Sequence, residues 1–372
     1  MEKLDPGGQT KLIVIDAHED LAWNALTFGR DYRRSVVETR QLERRTDVPR
    51  HNGQTLLGWP EWIQGRVAII FSSLFAAPAR WNEGQWDTQC YSGAEQAHQQ
   101  YRANLDTYLR WADESPEYFR IIRSVQDLES HWAAWQNPAY EGPVGLVLLM
   151  EGADGIREPA EVEQWFEWGV RILGPAWAGT RYAGGTKEPG PLTDLGRELI
   201  AHMDAMGMIL DLSHLSEDGA QEALDRFGGA VLASHTSPLA RVPNAEFPER
   251  HVSDVLIQRI AERQGVIGLL PANRFLKDGW YTGMDRDLVG MEDIVAAIDH
   301  VCQLLGSADH IAFGSDFDGG FGLDGVPKGL DSIADLKIIA DGLQQHGYEE
   351  QDISGIMGLN WYHLLQRTLP KD

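Results

Sequence analysis

Six ionisable residues stand where short apolar runs give out. His18 and Asp20 follow LIVID (12–16), Glu151 follows VGLVLLM (144–150), and Asp316 follows IAFGS (311–315). His214 comes one residue past the run MILDL (208–212), and His235 directly after AVLAS (230–234). Residues i and i+2 of an extended segment face the same side, so His18 and Asp20 are able to share one cation. A carboxylate after seven apolar or small residues is costly to bury unless it is paired or metal-bound. For Glu151 the plainer alternative is a strand end reaching water or an arginine. Either histidine alone would suit a buried imidazole held by backbone; two at successive strand ends read as metal ligands. Within GSDFDGG (314–320), Asp316 is placed to face the centre as a general acid/base, while Asp318 fits a cap on the next helix. Three imidazoles and three carboxylates without thiolate suit Zn2+ or Mn2+. The set exceeds what one tetrahedral ion takes. It fits two ions about 3.5–4 Å apart sharing a carboxylate, which generates a bridging hydroxide near neutral pH. A helical H-E-x-x-H is absent, which disfavours a thermolysin-like protease.

Positioning these residues requires elements that converge. Further runs at 67–74, 170–173 and 266–270 bring the candidate strands to eight, several of them near-continuous in Val, Ile and Leu. That is how strands covered on both faces of a parallel sheet read. Helical patterns at 192–206, 217–227, 252–263, 291–305 and 333–345 alternate with them. The alternation predicts an α/β fold of the (β/α)8 type, whose C-terminal strand mouths meet at one site. A doubly wound open sheet is the rival, weakened by the lack of a G-x-G-x-x-G after the first strand. One barrel domain is expected over 1–372, with a mostly helical insertion at about 76–141 and a closing helix at about 349–369. Trp59, Trp62, Trp81 and Trp86 flank that insertion; they either roof the mouth, make a subunit contact or pack in the core.

Composition narrows the partners. The 372 residues carry 32 Lys and Arg against 56 Asp and Glu, a net charge of −24. This argues against nucleic acid and against anionic lipid surfaces. With 43% hydrophobic and 24% charged residues, a substantial globular core is expected. Cys90 and Cys302 are too few and too distant for a disulfide framework, which points to a reducing, cytoplasmic setting. The segment MEKLDPGGQT lacks an apolar signal core, and no run approaches the length of a membrane span.

The motifs DAHEDL (16–21), MEG (150–152), DLSH (211–214), SHTS (234–237) and GSDFDG (314–319) resemble, in that order, the renal (membrane) dipeptidase family of the amidohydrolase superfamily. GLNW (358–361) resembles its closing helix, so the likeness spans residues 12 to about 365. The resemblance implies a homodimeric, binuclear zinc barrel that cleaves dipeptides. His18 and Asp20 would hold one ion, His214 and His235 the other, and Glu151 would bridge them. Asp316 would move the proton for the bridging water and the leaving amine. Arg250, in PERH (248–251), resembles the arginine that grips the substrate carboxylate, although His251 stands where Asn is usual. A solvated surface arginine is the alternative for Arg250. The excess negative charge does not help an anionic substrate approach, so metals and Arg250 must make the mouth locally positive.

One departure bears on substrate. Where the family usually carries a histidine contacting the scissile carbonyl, LGPAW (173–177) places Trp177. An indole N–H donates and never accepts, so Trp177 either substitutes in part or simply packs. Losing an oxyanion donor typically costs ~10²–10³ in rate. Dipeptides therefore lead, with N-acyl amino acids, lactones or cyclic amides as alternative substrates. A non-catalytic, metal-stabilised binding barrel is the remaining reading.

Overall fold

The structure, a computed structural model, describes residues 12–371. The N-terminal segment read as lacking a signal core lies outside the described residues. Eight parallel strands form the barrel: β1 (Val14–Glu19), β2 (Val67–Leu74), β3 (Val144–Glu151), β4 (Val170–Gly174), β5 (Ile209–Asp211), β6 (Val231–Thr236), β7 (Ile267–Leu269) and β8 (Ile311–Phe313). Each pairs with the next, and β8 returns to β1 with Phe313 opposite Asp16, which closes the ring. Nearly every strand residue is buried, as expected for strands filled inside and covered by helices outside.

Four strands run further than the apolar pattern indicated: β3 and β4 by one residue, β1 and β6 by more. β1 continues through His18 to Glu19 and β6 through His235 to Thr236, so both histidines lie within strands rather than beyond them. Polar residues read as strand ends in sequence, yet here they are buried. Glu19, for example, accepts from Trp62 Nε1 at 3.1 Å.

The insertion after β2 contains the helices Ala94–Glu114 and Val125–Trp135, but also three short strands. Ala77–Pro78 pairs with Cys90–Tyr91, and Phe119–Ile121 adds to the start of β3. Helix Ala94–Glu114 buries Ala97, Tyr101, Leu105 and Tyr108 at helical spacing. Its Tyr101 hydroxyl donates to Glu151 O at 2.7 Å and its Tyr108 hydroxyl to Ser73 O at 2.8 Å. The insertion thus braces the mouths of β2 and β3. Between β1 and β2, four short helices (Leu21–Phe28, Val36–Glu43, Val48–Asn52 and Trp59–Gly65) form where the apolar periodicity marked nothing.

The expected closing helix is interrupted. Glu350–Ser354 and Asn360–Thr368 are α-helical, with a π turn at Gly355–Leu359 between them. That turn brings Gly358 against the start of β1, where an added Cβ would meet Ile13 O at 2.4 Å. Asn360 Nδ2 donates to Ala308 O and Ile311 O, and Trp361 Nε1 to Phe313 O, all at 2.8 Å. The flanking tryptophans divide: Trp62 is fully buried, Trp59 packs on Tyr118, and Trp81 and Trp86 line the cavity over the strand mouths. Among the described residues, no helix is long and apolar enough to cross a membrane.

Candidate metal centre

The strand mouths bring the six residues into one buried cluster. From β1, His18 Nε2 lies 3.3 Å from Glu151 Oε2 on β3 and 3.6 Å from Asp20 Oδ1. His214, just past β5, places Nε2 2.9 Å from Glu151 Oε1, and His235 on β6 places Nε2 3.7 Å from the same oxygen. Glu151 therefore sits between two sets of donors. Three overlapping groups have ligand atoms within 4.8 Å of one another: His18, Asp20 and Glu151; Glu151, His214 and His235; and His18, His235 and Asp316. Asp316 is anchored through its backbone N–H to His18 O at 3.1 Å.

Backbone conformation aims two of these side chains. His214 has φ 66° and Asp316 has φ 53°, both in the left-handed region that non-glycine residues rarely enter. Such strain costs about 1–3 kcal/mol per residue and persists only where surroundings enforce it. Asp318 shares that conformation at φ 67° but has another role. Instead of capping a helix, its buried carboxylate accepts from Leu56 N at 2.8 Å and Thr55 Oγ1 at 2.5 Å, and pairs with Arg30 Nη1 at 2.9 Å. It ties the loop after β8 to the helices that precede β2.

The protonation pattern suits cation binding. Burial holds His214 down to about 4, with Arg250 adding to it, and burial pushes His235 well below the usual range. Both imidazoles are neutral, and their Nε2 atoms face each other at 3.1 Å. His18 differs: burial lowers it, but Glu151 and Asp20 outweigh that and raise it well above its ordinary value. Both ring nitrogens of His18 are buried without a hydrogen-bond partner. Burial, with Asp20 and Glu151 adding, raises Asp316 well above the carboxylate range against the pull of His18 and Arg250. Three acids crowded onto three imidazoles, one of them with idle nitrogens, fit a divalent cation site with mixed N and O donors.

The cluster floors a cavity of about 600 Å³. Arg250 lines it and is 7% exposed, so it is no surface arginine. Its Nη1 donates to His235 O at 2.7 Å, while Nη2 has no partner. Trp177 also lines the cavity, packed edge-on against Phe75 with ring centres 5.1 Å apart and lying 6.3 Å from the His214 ring. Residues not singled out in the sequence complete the surroundings. Thr186 Oγ1 lies 2.9 Å from His214 Nδ1, Ser234 Oγ 2.8 Å from His235 Nδ1, and Ser73 Oγ hydrogen-bonds Asp20. Lys187 and Arg274 stand on the cavity wall. Ser234 adjoins its histidine in sequence and was open to detection; Thr186, Lys187 and Arg274 carry no such signal.

Known proteins share this architecture. The chain is 28% identical over 367 residues to dipeptidase aclJ of Aspergillus oryzae, covering 96% of this chain and 78% of that one. It is 25% identical over 311 residues to dipeptidase tcpJ of Claviceps purpurea, covering 82% and 68%. Among solved structures, the metallopeptidase dipeptidase AC of family M19 superposes with a TM-score of 0.77 at 25% identity, covering 97% of this chain and 99% of that one. A Rhodobacter sphaeroides metallopeptidase bound to a phosphinate mimic of L-Ala-D-Ala shares the fold at TM-score 0.77 and 24% identity, covering 96% and 100%. The membrane dipeptidase profile, peptidase family M19, matches residues 9–369, and the chain belongs to that family.

Proposed function

We propose that this family member is a binuclear zinc dipeptidase, with Mn2+ as the alternative metal. His18 and Asp20 would hold one ion, His214 and His235 the other, and Glu151 would serve both. The observation that carries this reading is His18, fully buried with neither ring nitrogen hydrogen-bonded although Nε2 lies 3.3 Å from Glu151 Oε2. A cation held by a ring nitrogen of His18 would give that nitrogen a partner and would offset the acids around it. When bound, such ions polarise the scissile carbonyl and acidify water.

The chain's own groups do the rest. Asp316 takes the proton of the attacking water and returns it to the departing amide nitrogen, general acid/base work that contributes typically 10²–10⁴-fold. Its anchorage on His18 O keeps that carboxyl over the cluster. Arg250 offers its free Nη2 to the substrate α-carboxylate in a charge-assisted contact. Trp177 walls the cavity beside His214 and, among the described residues, its indole N–H has no hydrogen-bond acceptor within the chain. Trp177 in place of the histidine usual in the resembling family favours, as the second reading, an N-acyl amino acid, lactone or cyclic amide as substrate.

Metal analysis with a substrate panel, run on wild type and Asp316→Asn, tests the proposal. Two equivalents of zinc, dipeptide turnover, and a loss of at least about 10²-fold in the variant are expected. Undiminished turnover would remove Asp316 from the mechanism; acyl or lactone hydrolysis without dipeptide cleavage would select the second reading. The proposal extends to one barrel domain assembled as a cytoplasmic homodimer, which light scattering and cell fractionation check.

A further inference from the structure

Three cationic side chains line the cavity: Lys187, Arg250 and Arg274. The chain carries 24 more acidic than basic residues, and its arginines generally hold carboxylates, as Arg30 holds Glu43, Arg80 Glu188 and Arg197 Glu222. Among the described residues, Lys187 Nζ and the Arg274 guanidinium have neither a hydrogen bond nor an ion pair, and Arg250 Nη2 is an orphan. Unpaired cations facing one cavity in an acidic protein are poised for anionic ligand groups.

Aromatic rings hold these cations in place without using up their donors. Lys187 Nζ lies 4.5 Å from the ring centre of Trp81, 5.1 Å from that of Trp177 and 5.8 Å from that of Phe247. Rings attract an ammonium through their faces and leave its N–H groups free. Arg250 and Arg274 flank the buried Phe275, each guanidinium carbon 5.2 Å from its ring centre. The two therefore stand no further apart than twice that distance. Burial lowers Lys187 below its ordinary value, Arg274 adding repulsion. The exposed Glu83 and Glu246 act on Lys187 and Arg274 from the rim but form no ion pair with either.

We infer that Arg274 and Lys187 recognise a second carboxylate on the substrate, the side-chain carboxylate of a C-terminal Asp or Glu. This rests on the dipeptidase reading, in which Arg250 takes the α-carboxylate. The two carboxylates of one acidic residue are separated by only a few bonds, which matches guanidinium groups sharing a single ring. An acidic N-terminal residue would instead carry its charge beyond the scissile carbonyl, away from Arg250. The cavity lining also holds acids such as Asp87 and Asp278, and among the described residues these three cations are its basic side chains left without an ion pair for a dianionic substrate end.

The test compares Ala-Glu with Ala-Gln and Gly-Asp with Gly-Asn on the metal-loaded enzyme. Each acidic member is expected to have a kcat/KM at least about tenfold above its amide, the scale of one charge-assisted contact. In Arg274→Gln the ratio should collapse toward one, in Lys187→Gln it should fall, and in Arg274→Lys part of it should return. Calorimetry of free glutamate against glutamine on the same proteins reads the preference without turnover. A wild-type ratio near one, or a ratio untouched by Arg274→Gln, would overturn the inference even if neutral dipeptides are cleaved. Tighter glutamate binding that depends on Arg274, with no dipeptide cleaved, would sink the dipeptidase reading and leave the acid-recognising wall standing.

Discussion

A single hydroxyl proton sets the chemistry of His235. Ser234 Oγ donates to Asp211 Oδ2 at 2.5 Å, and that carboxylate also takes the backbone N–H groups of Ser213 and Ser234. With its proton given away, Ser234 Oγ accepts from His235 Nδ1, which leaves Nε2 bare and turned inward. Thr186 Oγ1 stands in the same position against His214 Nδ1, at 2.9 Å. Such partners orient a ligating imidazole, and losing one typically costs 10–100-fold in metal affinity. Thr186→Val keeps the volume and removes the partner of His214 Nδ1. It is expected to weaken metal binding by about 10–100-fold in chelator competition, and an unchanged affinity would contradict this role. The six cluster residues were legible in the sequence because each stands where an apolar run gives out. Thr186, 28 residues from His214, interrupts nothing; only the fold makes it a neighbour.

At the scale of elements, one carbonyl of β6 is approached by two glycines, Gly268 on β7 and Gly314 just past β8. A Cβ added to Gly268 or to Gly314 would stand 1.8 Å from Ser234 O, far inside contact distance. β6 therefore lies closer to its neighbours than any side chain allows, immediately before His235. Gly314→Ala should force the strands apart, costing about 1–3 kcal/mol or more by overpacking and lowering metal occupancy. Urea unfolding and metal analysis would show both; a fully stable, fully loaded variant would refute the close approach. The same logic explains what the pattern of elements disclosed. Apolar runs, several of them near-continuous in Val, Ile and Leu, located all eight barrel strands, since strands buried on both faces leave a strong signal. The helices between β1 and β2 left none, because long-range polar contacts help secure them. Arg30 bonds Glu43 and pairs with Asp318, and Asn52 Nδ2 donates to Asp318 O at 2.8 Å. Polar partners of this kind have no period to read. The π turn before Asn360 was hidden for a related reason, as close approach to β1 shapes it.

Across the whole molecule, the strand mouths carry the charged cluster while the opposite end is closed by packing, a separation usual for this architecture. His131 belongs to the packed part. It is fully buried on helix Val125–Trp135, with Nε2 2.8 Å from Ala68 O and Nδ1 without a partner. Burial pushes it down to about 4, with the Ala68 carbonyl opposing. Between that value and the ordinary 6.5, the unfolded chain binds a proton that the native chain refuses, so stability must fall as pH drops through this window. Above 6.5 both states are neutral at this position and the effect vanishes. The loss grows to about 3 kcal/mol near the lower end, each unit of displacement being worth about 1.4 kcal/mol. Urea unfolding of the metal-saturated protein from pH 7 to pH 4, compared with His131→Gln, isolates this contribution from the other buried acids and imidazoles. The wild type should lose stability more steeply than the variant as acid is added. Parallel curves would mean that His131 takes up its proton in the native state, and that the closed end of the barrel admits charge.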